Sequence, residues 1–277
     1  MKEYIDLHVH SNCSDGTLSP TELVNLALEI SLKAFALTDH DTIAGIEEAR
    51  QAASGTGLEV IPGIEFSTSY EGKDVHVLGL GIDDQDALFQ EQLEAFQNSR
   101  ELRNDKMISL LQKAGISISR EIMEELYPDA VWTRAHFAAY LLQNGYVSSM
   151  DEAFARFLGD HAPCFVPREK VTPYQAIDLI HQAGGKAILA HPLLYGLSRE
   201  KLDLLVSRMK KAGADGIEAI YSSNRAGEEN AMRQLAAKYQ LKITGGSDFH
   251  GANKPKIHLG TGKGNLKISY DIWKNLW

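Results

Sequence analysis

Cysteine is scarce in this chain: Cys13 and Cys164 are the only two among 277 residues. Two thiols cannot build a disulfide framework, and they lack the short paired spacing of a zinc ribbon, so both are expected to be reduced thiols of a cytoplasmic protein. No window approaches the roughly 20 apolar residues that a membrane span needs. Met1-Lys2-Glu3-Tyr4 runs straight into a strand-like segment, without the apolar stretch and small-residue cleavage site of a leader. A soluble protein with no membrane partner is expected. Positive charge is in deficit, 28 Lys and Arg against 37 Asp and Glu, for a formal net charge of -9. That balance argues against stable binding of duplex nucleic acid, which needs an exposed basic surface. It leaves room for a small phosphorylated ligand, because bound cations reset the field inside a pocket. Internal repeats and low-complexity tracts are also missing.

What is present is the make-up of a folded, enzyme-sized body. Hydrophobic residues form 44% of the chain and charged residues 23%, far from a disordered composition. The length suits one α/β barrel domain or a domain carrying an insertion. Residues 4–9 read as a short buried strand. A helix then starts at Ser19-Pro20-Thr21-Glu22, with Ser19 as N-cap, Pro20 at the first helical position and Glu22 three after the cap. Leu23, Leu26, Ala27 and Ile30 continue at helical spacing. Strand at 34–37, helix at 43–53 and strand at 58–61 repeat the pattern. From about 84 to 161 the alternation stops and the chain turns helical, with a charge run at 100–106 that reads as an exposed helix face. The rhythm then resumes, with helices at 173–183, 201–212 and 228–239 and strands at 186–189, 216–220 and 242–244. Elements of this length in alternation imply mostly parallel strands with right-handed crossovers. The expectation is a barrel of residues 1–83 and 162–277, interrupted by a helical insertion at 84–161.

The chemistry lies in where polar residues fall against those strands. In Asp6-Leu7-His8-Val9-His10 the two-residue period of a strand sets Asp6, His8 and His10 on one face and Leu7 and Val9 on the other. Two imidazoles thus project side by side at a strand end, and Asp15 follows in a turn. The arrangement recurs: His40 follows the second strand, Glu65 the third, His76 lies within 75–80, and His191, Asp248 and His250 follow later strands. Strand C-termini of parallel β/α arrays converge on one rim. Taken singly, a histidine is more often a hydrogen-bonded core residue; six at strand ends are not explained that way. His8, His10, Asp15, His40, Glu65, His76, His191, Asp248 and His250 are therefore candidate metal ligands. Imidazoles and carboxylates suit Zn, Mn or Fe, and this set exceeds what one ion of roughly four to six ligands can use, so two to three divalent ions are implied. Without cations several of these groups would be buried and unsatisfied, at a cost on the order of a few kcal/mol each. Asp6 and Asp39, adjacent to ligand histidines, are candidates to orient imidazoles.

In this order the motifs resemble the PHP (polymerase and histidinol phosphatase) family of phosphoesterases: His-Val-His-Ser at 8–11, Thr-Asp-His-Asp at 38–41, Gly-Ile-Glu at 63–65, the lone strand His76, Ala-His-Pro at 190–192 and Ser-Asp-Phe-His at 247–250. The match spans nearly the whole chain and is nearest to the branch of stand-alone nucleotide and RNA 5'-end phosphoesterases. The resemblance implies an α/β fold, a distorted (β/α)7 barrel with an inserted helical cap. It implies one ion held by His8, His10, Glu65 and Asp248, a second by Glu65, His76 and His191, and a third by Asp15, His40 and His250. It further implies hydrolysis of phosphate esters of nucleotides, such as 3',5'-bisphosphates, or of short RNA 5' ends, by a metal-bound hydroxide and without a protein nucleophile.

A phosphate ester also needs counter-charge from the protein, and arginine gives planar bidentate recognition. Thr133-Arg134-Ala135-His136 resembles the family's Arg-Pro-His segment, with Ala135 where proline is usual, and Val166-Pro167-Arg168 resembles the following Val-Pro-Arg. Arg134, His136 and Arg168 are thus candidate phosphate contacts, although a solvated ion pair stays open for both arginines. Ser222, Ser223 and Asn224, just past a strand, are candidate rim residues. Two alternatives stand beside this reading: a histidinol-phosphate phosphatase on the same barrel and metals, and a non-catalytic metal or nucleotide sensor. That every ligand position is filled weighs against the sensor.

Overall fold

Short apolar runs become strands here because they are buried on both faces. The protein's computed structural model describes residues 3–128, 130–159, 162–166 and 172–277, with the side chains at 95, 96, 99 and 100 outside the description. Seven strands, β1 (Ile5–Val9), β2 (Ala34–Leu37), β3 (Glu59–Tyr70), β4 (Lys73–Leu80), β5 (Lys186–Leu189), β6 (Gly216–Tyr221) and β7 (Lys242–Gly246), lie side by side in sequence order. The pairs β1–β2, β2–β3, β5–β6 and β6–β7 are parallel, whereas β4 runs antiparallel to both neighbours. The sheet curls until its ends meet. Asp248 N, just past β7, donates to His8 O at 2.9 Å, and His10 N donates to Phe249 O at 3.0 Å. The result is a nearly closed seven-stranded α/β barrel.

Helix α1 (Pro20–Glu29) carries the expected capping box between Ser19 and Glu22. Helix α2 (Ile46–Ala53) starts three residues later than its sequence pattern predicts. Leu23, Val24 and Ala27 of α1 and Ile46 and Ala49 of α2 pack with Phe35 and Leu37 of β2. Between β4 and β5 come α3 (Ala87–Lys113), α4 (Arg120–Leu126), α5 (Arg134–Gln143) and α6 (Met150–Ala153). Helices α7 (Pro173–Gln182), α8 (Arg199–Lys211) and α9 (Glu228–Lys238) follow, with Ile177, Ile180, Leu205 and Val206 in the main apolar cluster. Each such side chain contributes roughly 1.5–3 kcal/mol by leaving water. No helix among the described residues is long and apolar enough to cross a membrane.

Two expectations need correction. The third strand does not end near Ile61 but runs on to Tyr70, so Glu65 sits inside a strand rather than beyond one. Past Pro62 the strand leaves β2 and pairs with β4 as a hairpin, closed by Glu71 and Gly72 at φ 50° and 78°. Positive φ at both central residues is the two-residue turn that matches strand twist. Because β4 is reversed, His76 near its start lies at the C-terminal end of β5, where Ala190 N donates to His76 O at 3.1 Å. The charge run at 100–106 is likewise not uniformly exposed. Arg103 is 8% exposed and Asn104 fully buried, because this face of α3 meets the later helices, with Asn104 Nδ2 donating to Trp132 O.

The segment between β4 and β5 has apolar packing of its own. Phe89 and Leu93, early in α3, join the barrel's cluster. Met107, Ile108 and Leu111, late in α3, join Ile116, Met123, Trp132, Phe137, Leu141 and Leu158 instead.

Barrel closure leaves no space for a side chain at Gly246. A Cβ there would lie 2.2 Å from His8 Cβ and 2.7 Å from His8 N. Gly246→Ala is therefore expected to destabilise the protein by about 3 kcal/mol or more in denaturant unfolding. A variant within about 0.5 kcal/mol of wild type, the spread of neutral surface changes, would mean that β1 and β7 do not meet this closely.

Candidate metal centre

Glu65 occupies the middle of the rim. Its Oε2 lies 3.2 Å from each of His8 Nε2, His10 Nε2 and His40 Nδ1, and its Oε1 lies 2.9 Å from both His76 Nδ1 and His191 Nε2. Five imidazoles, from the ends of β1, β2 and β5 and from within β4, thus surround one carboxylate. Asp248 Oδ1 stands 3.6 and 3.5 Å from His8 and His10. On the other flank Asp15 faces His250 Nε2 at 3.2 Å and His40 Nε2 at 3.8 Å. All nine predicted ligands are brought together. Their donor atoms fall into four overlapping groups, each within 4.8 Å: His10, Asp15, His40 and His250; His8, Glu65 and His191; His8, His10 and Asp248; His40, Glu65 and His76. Asp248 and His191 hold φ of 58° and 21°, in the left-handed region that costs a non-glycine residue on the order of 1–3 kcal/mol.

Neighbouring acceptors turn several imidazoles inward. His8 Nδ1 lies 3.1 Å from Glu218 Oε1, His250 Nδ1 lies 2.9 Å from Asp248 O, and His10 Nδ1 lies 3.4 Å from Ser14 Oγ. Ser14 Oγ in turn donates to Asp39, which also accepts from Ser11 N and Oγ at 2.8 and 2.6 Å. Asp39 therefore acts on His10 through Ser14, and burial pushes its carboxyl up to about 6 against those hydrogen bonds. Among the described residues no imidazole bonds to Asp6, so the expectation that it orients one is not met. It accepts from Ser247 N, Gly260 N and His8 N at 2.8, 2.7 and 3.3 Å and so fixes backbone at the closure.

Sequence reasoning missed four supporting residues. Glu218 is one, Tyr221 Oη and Lys254 Nζ each donate to Asp248 Oδ2 at 2.6 Å, and Thr133 Oγ1 donates to Asp15 Oδ2 at 2.9 Å. The lone acid in the apolar strand Gly216–Tyr221 was a usable signal; Lys254 and Thr133 gave none.

The donor atoms fit cations. Among the described residues His8 Nε2, His10 Nε2 and Asp15 Oδ1 are buried without a hydrogen-bond partner, and each such group ordinarily costs about 1–3 kcal/mol. Burial opposes charge on Glu65, yet His8, His40 and His76 hold it well below the usual carboxylate range. Burial also opposes charge on His8, and Glu65, Glu218 and Asp248 override it, holding His8 well above its ordinary value. Burial together with His250 drives His10 well below. The acids thus stay ionised and draw positive charge inward, as protons or as metal, and imidazole nitrogen with carboxylate oxygen is the donor set of Zn, Mn and Fe.

A cavity opens over His40 and His76, walled by Arg103, Arg134, Phe154 and Phe165. Arg134 pairs with Asp74 through Nη2, donates from Nη1 to Leu158 O at 3.2 Å, and stacks over Phe165. The structure does not bring His136 into this cavity. Its Nδ1 accepts from Thr133 N at 2.9 Å as part of the α5 cap, and it lines a neighbouring cavity with Ser14 and Thr17. Ser222, Ser223 and Asn224 line another recess, beyond Tyr221, where Ser222 Oγ donates to Ser247 O and Asn224 Nδ2 to Ala219 O. Arg168 lies outside the described residues.

Residues 6–183 match the PHP domain family. The chain is 40% identical over 250 residues to a 5'-3' exoribonuclease of Haemophilus influenzae, covering 90% of this chain and 91% of that protein. It is 32% identical over 273 residues to a 3',5'-nucleoside bisphosphate phosphatase of Chromobacterium violaceum, covering 98% and 96%. The solved structure of a Chromobacterium violaceum amidohydrolase with bound sulfate and no metal shares the fold at a TM-score of 0.88, with 31% identity over 99% of this chain and 95% of that one. Sequence, fold and rim thus agree, and the chain belongs to the PHP domain family.

Proposed function

We propose that this PHP-domain protein is a metal-dependent phosphoesterase acting on phosphate esters of nucleotides, either 3',5'-bisphosphates or short RNA 5' ends. The observation that carries the reading is the convergence of five imidazoles on Glu65 beneath a cavity walled by arginine. The named activities of the Haemophilus and Chromobacterium relatives support nucleotides over histidinol phosphate.

His8, His10, Glu65 and Asp248 would hold one divalent ion, Glu65, His76 and His191 a second, and Asp15, His40 and His250 a third, with Mn, Fe or Zn as the ion. Bound there, such ions supply Lewis acidity, which lowers the pKa of water and neutralises phosphoryl oxygens. The chain's own residues bind and orient. Arg134 takes the substrate phosphate with its planar fork, exchanging Asp74 for the anion. Tyr221 and Lys254 keep Asp248 turned toward His8 and His10, and Thr133 does the same for Asp15. Residues 84–161 act as the cap that carries Arg134 over the mouth, restricting substrates to small molecules and single-stranded ends. A cytoplasmic setting accords with a chain that holds only two cysteines, too few for a disulfide framework.

Chelator-stripped protein is expected to lose turnover of adenosine 3',5'-bisphosphate and to regain it with Mn, Fe or Zn, while His40→Ala and Asp248→Asn abolish it. Full turnover by the stripped protein or by either variant overturns the mechanism. In a substrate panel, kcat/KM should be higher for adenosine 3',5'-bisphosphate or a 5'-phosphorylated short RNA than for histidinol phosphate; the opposite order removes the nucleotide assignment. Arg134→Ala is expected to raise KM about tenfold or more at unchanged metal content, since a hydrogen bond to a charged group contributes roughly 1.5–3 kcal/mol. An unaltered KM would reduce Arg134 to a partner of Asp74.

A further inference from the structure

Glu218 is the only acid in β6 and is 1% exposed. A buried carboxylate is costly unless its oxygens are met by hydrogen-bond donors, and no lysine or arginine pairs with it among the described residues. Its two oxygens point to two different places. Oε1 lies 3.1 Å from His8 Nδ1, and Oε2 accepts from the backbone N of His191 at 2.8 Å. We infer that Glu218 is a positioning residue that fixes the His8 ring and the His191 peptide together, and so sets the geometry of two ligands that belong to different ions. The inference rests on the metal centre proposed above.

A carboxylate only accepts, so His8 Nδ1 carries a proton. That leaves the inward nitrogen, Nε2, which faces Glu65 and Asp248 at 3.2 and 3.6 Å, as the ring atom at which a cation can take the place of a proton. At the other oxygen, the peptide of His191 sits at φ 21° and ψ 58°, and its N–H is tied to Glu218. Such a conformation persists only where the surroundings over-determine it. One side chain therefore selects a tautomer and restrains a strained backbone.

Glutamine separates this role from simple packing. It fills nearly the same volume but offers one accepting oxygen and one donating NH2. Whichever way it turns, a donor faces either His8 Nδ1–H or His191 N–H. In the first case His8 must move its proton to Nε2, into the cation's place. In the second the His191 peptide loses its restraint. Alanine removes the carboxylate and leaves space for water, which can accept either proton but ties neither partner in place, so its loss is smaller than that of glutamine yet still present.

The test is zinc titration of chelator-stripped wild type, Glu218→Gln and Glu218→Ala against a chromophoric competitor. It is paired with nitrogen-proton spectra of the histidine rings in the zinc-loaded proteins and melting of the metal-free forms. Glu218→Gln is expected to bind zinc 10- to 100-fold more weakly, the usual effect of losing such a partner, and to be at least as impaired as Glu218→Ala, with the His8 Nδ1 proton signal lost when the amide NH2 turns to His8 and kept when it turns to His191. Glu218→Gln binding within twofold of wild type with that signal kept, and Glu218→Ala the weaker, is the order of a packing role and overturns the inference. If Glu218→Gln does not fold, Glu218→Ala decides, and a loss below twofold overturns it. A wild type that binds no zinc overturns the metal centre and this inference together, whereas a wild type and Glu218→Gln that bind equally overturn the inference alone.

Discussion

Five imidazoles can share one carboxylate only if the backbone brings their strands to the same height around it. That demand on Glu65 organises the rest of the barrel. Strand β3 has to run through the rim rather than stop at it, so that Glu65 stands in the middle. Strand β4 has to come back down beside it, so that His76 reaches the same level as His191. The first and last strands have to meet, so that His8 and His10 face Asp248. Glycine appears where these approaches are tightest. A Cβ at Gly63 would meet Thr38 Cγ2 at 2.9 Å and backbone oxygens at 3.0 Å, and Gly246 has still less room.

Such a cluster works against folding. Several donor atoms lack partners, two candidate ligands sit in strained backbone, and like groups crowd one another in low dielectric. Stability has to come from elsewhere, and it is found in the apolar layers between strands and helices, where Phe35, Phe66, Phe89 and Phe137 are fully buried. The separation is spatial: hydrophobic packing surrounds the barrel and fills the helical segment, while the polar strain is concentrated at one end. The overall charge of -9 says little about that end, since local pairing among acids and imidazoles sets the field there.

Much of this was legible in the sequence, for definite reasons. A two-residue period sets His8 and His10 on one face of β1, but a register shift between Asp6 and Val9 overturns the rest of that pattern: Leu7 packs with Ala34 and Ala36 of β2 and Val9 with Leu23 and Val24 of α1. A capping box announces α1, and the ligand motifs recur at strand ends. The hairpin of β3 and β4 was harder to read because Ser67, Thr68 and Ser69 interrupt the apolar pattern, and the turn residues Glu71 and Gly72 are a weak form of the usual Asn-Gly or Asp-Gly pair. Arg103 was read as exposed because a charged helix looks the same whether it faces water or another helix. His136 was read as a phosphate contact, whereas its place three residues after Thr133 lets its ring act as glutamate does in a capping box. Glu218 was missed although it is an acid inside an apolar strand, because its partners, His8 and His191, are remote in sequence and only the order of strands joins them.

The reversal of β4 also has a consequence for length. Strand β4 ends beside Lys186, where β5 begins, so the chain leaves the sheet at the end away from the ligands. It must then climb back, and α3 makes that journey in one piece: 27 residues, or about 40 Å at the rise of an α-helix. On the way Gln97 Nε2 donates to Asp41 O beside His40, and Arg103 arrives at the cavity. The helix is in effect a ruler. Removing seven residues, close to two full turns, would lower everything mounted on its far end by about 10 Å while turning it by only about 20°, so the length of this one helix sets the height of the cavity wall above the ligands.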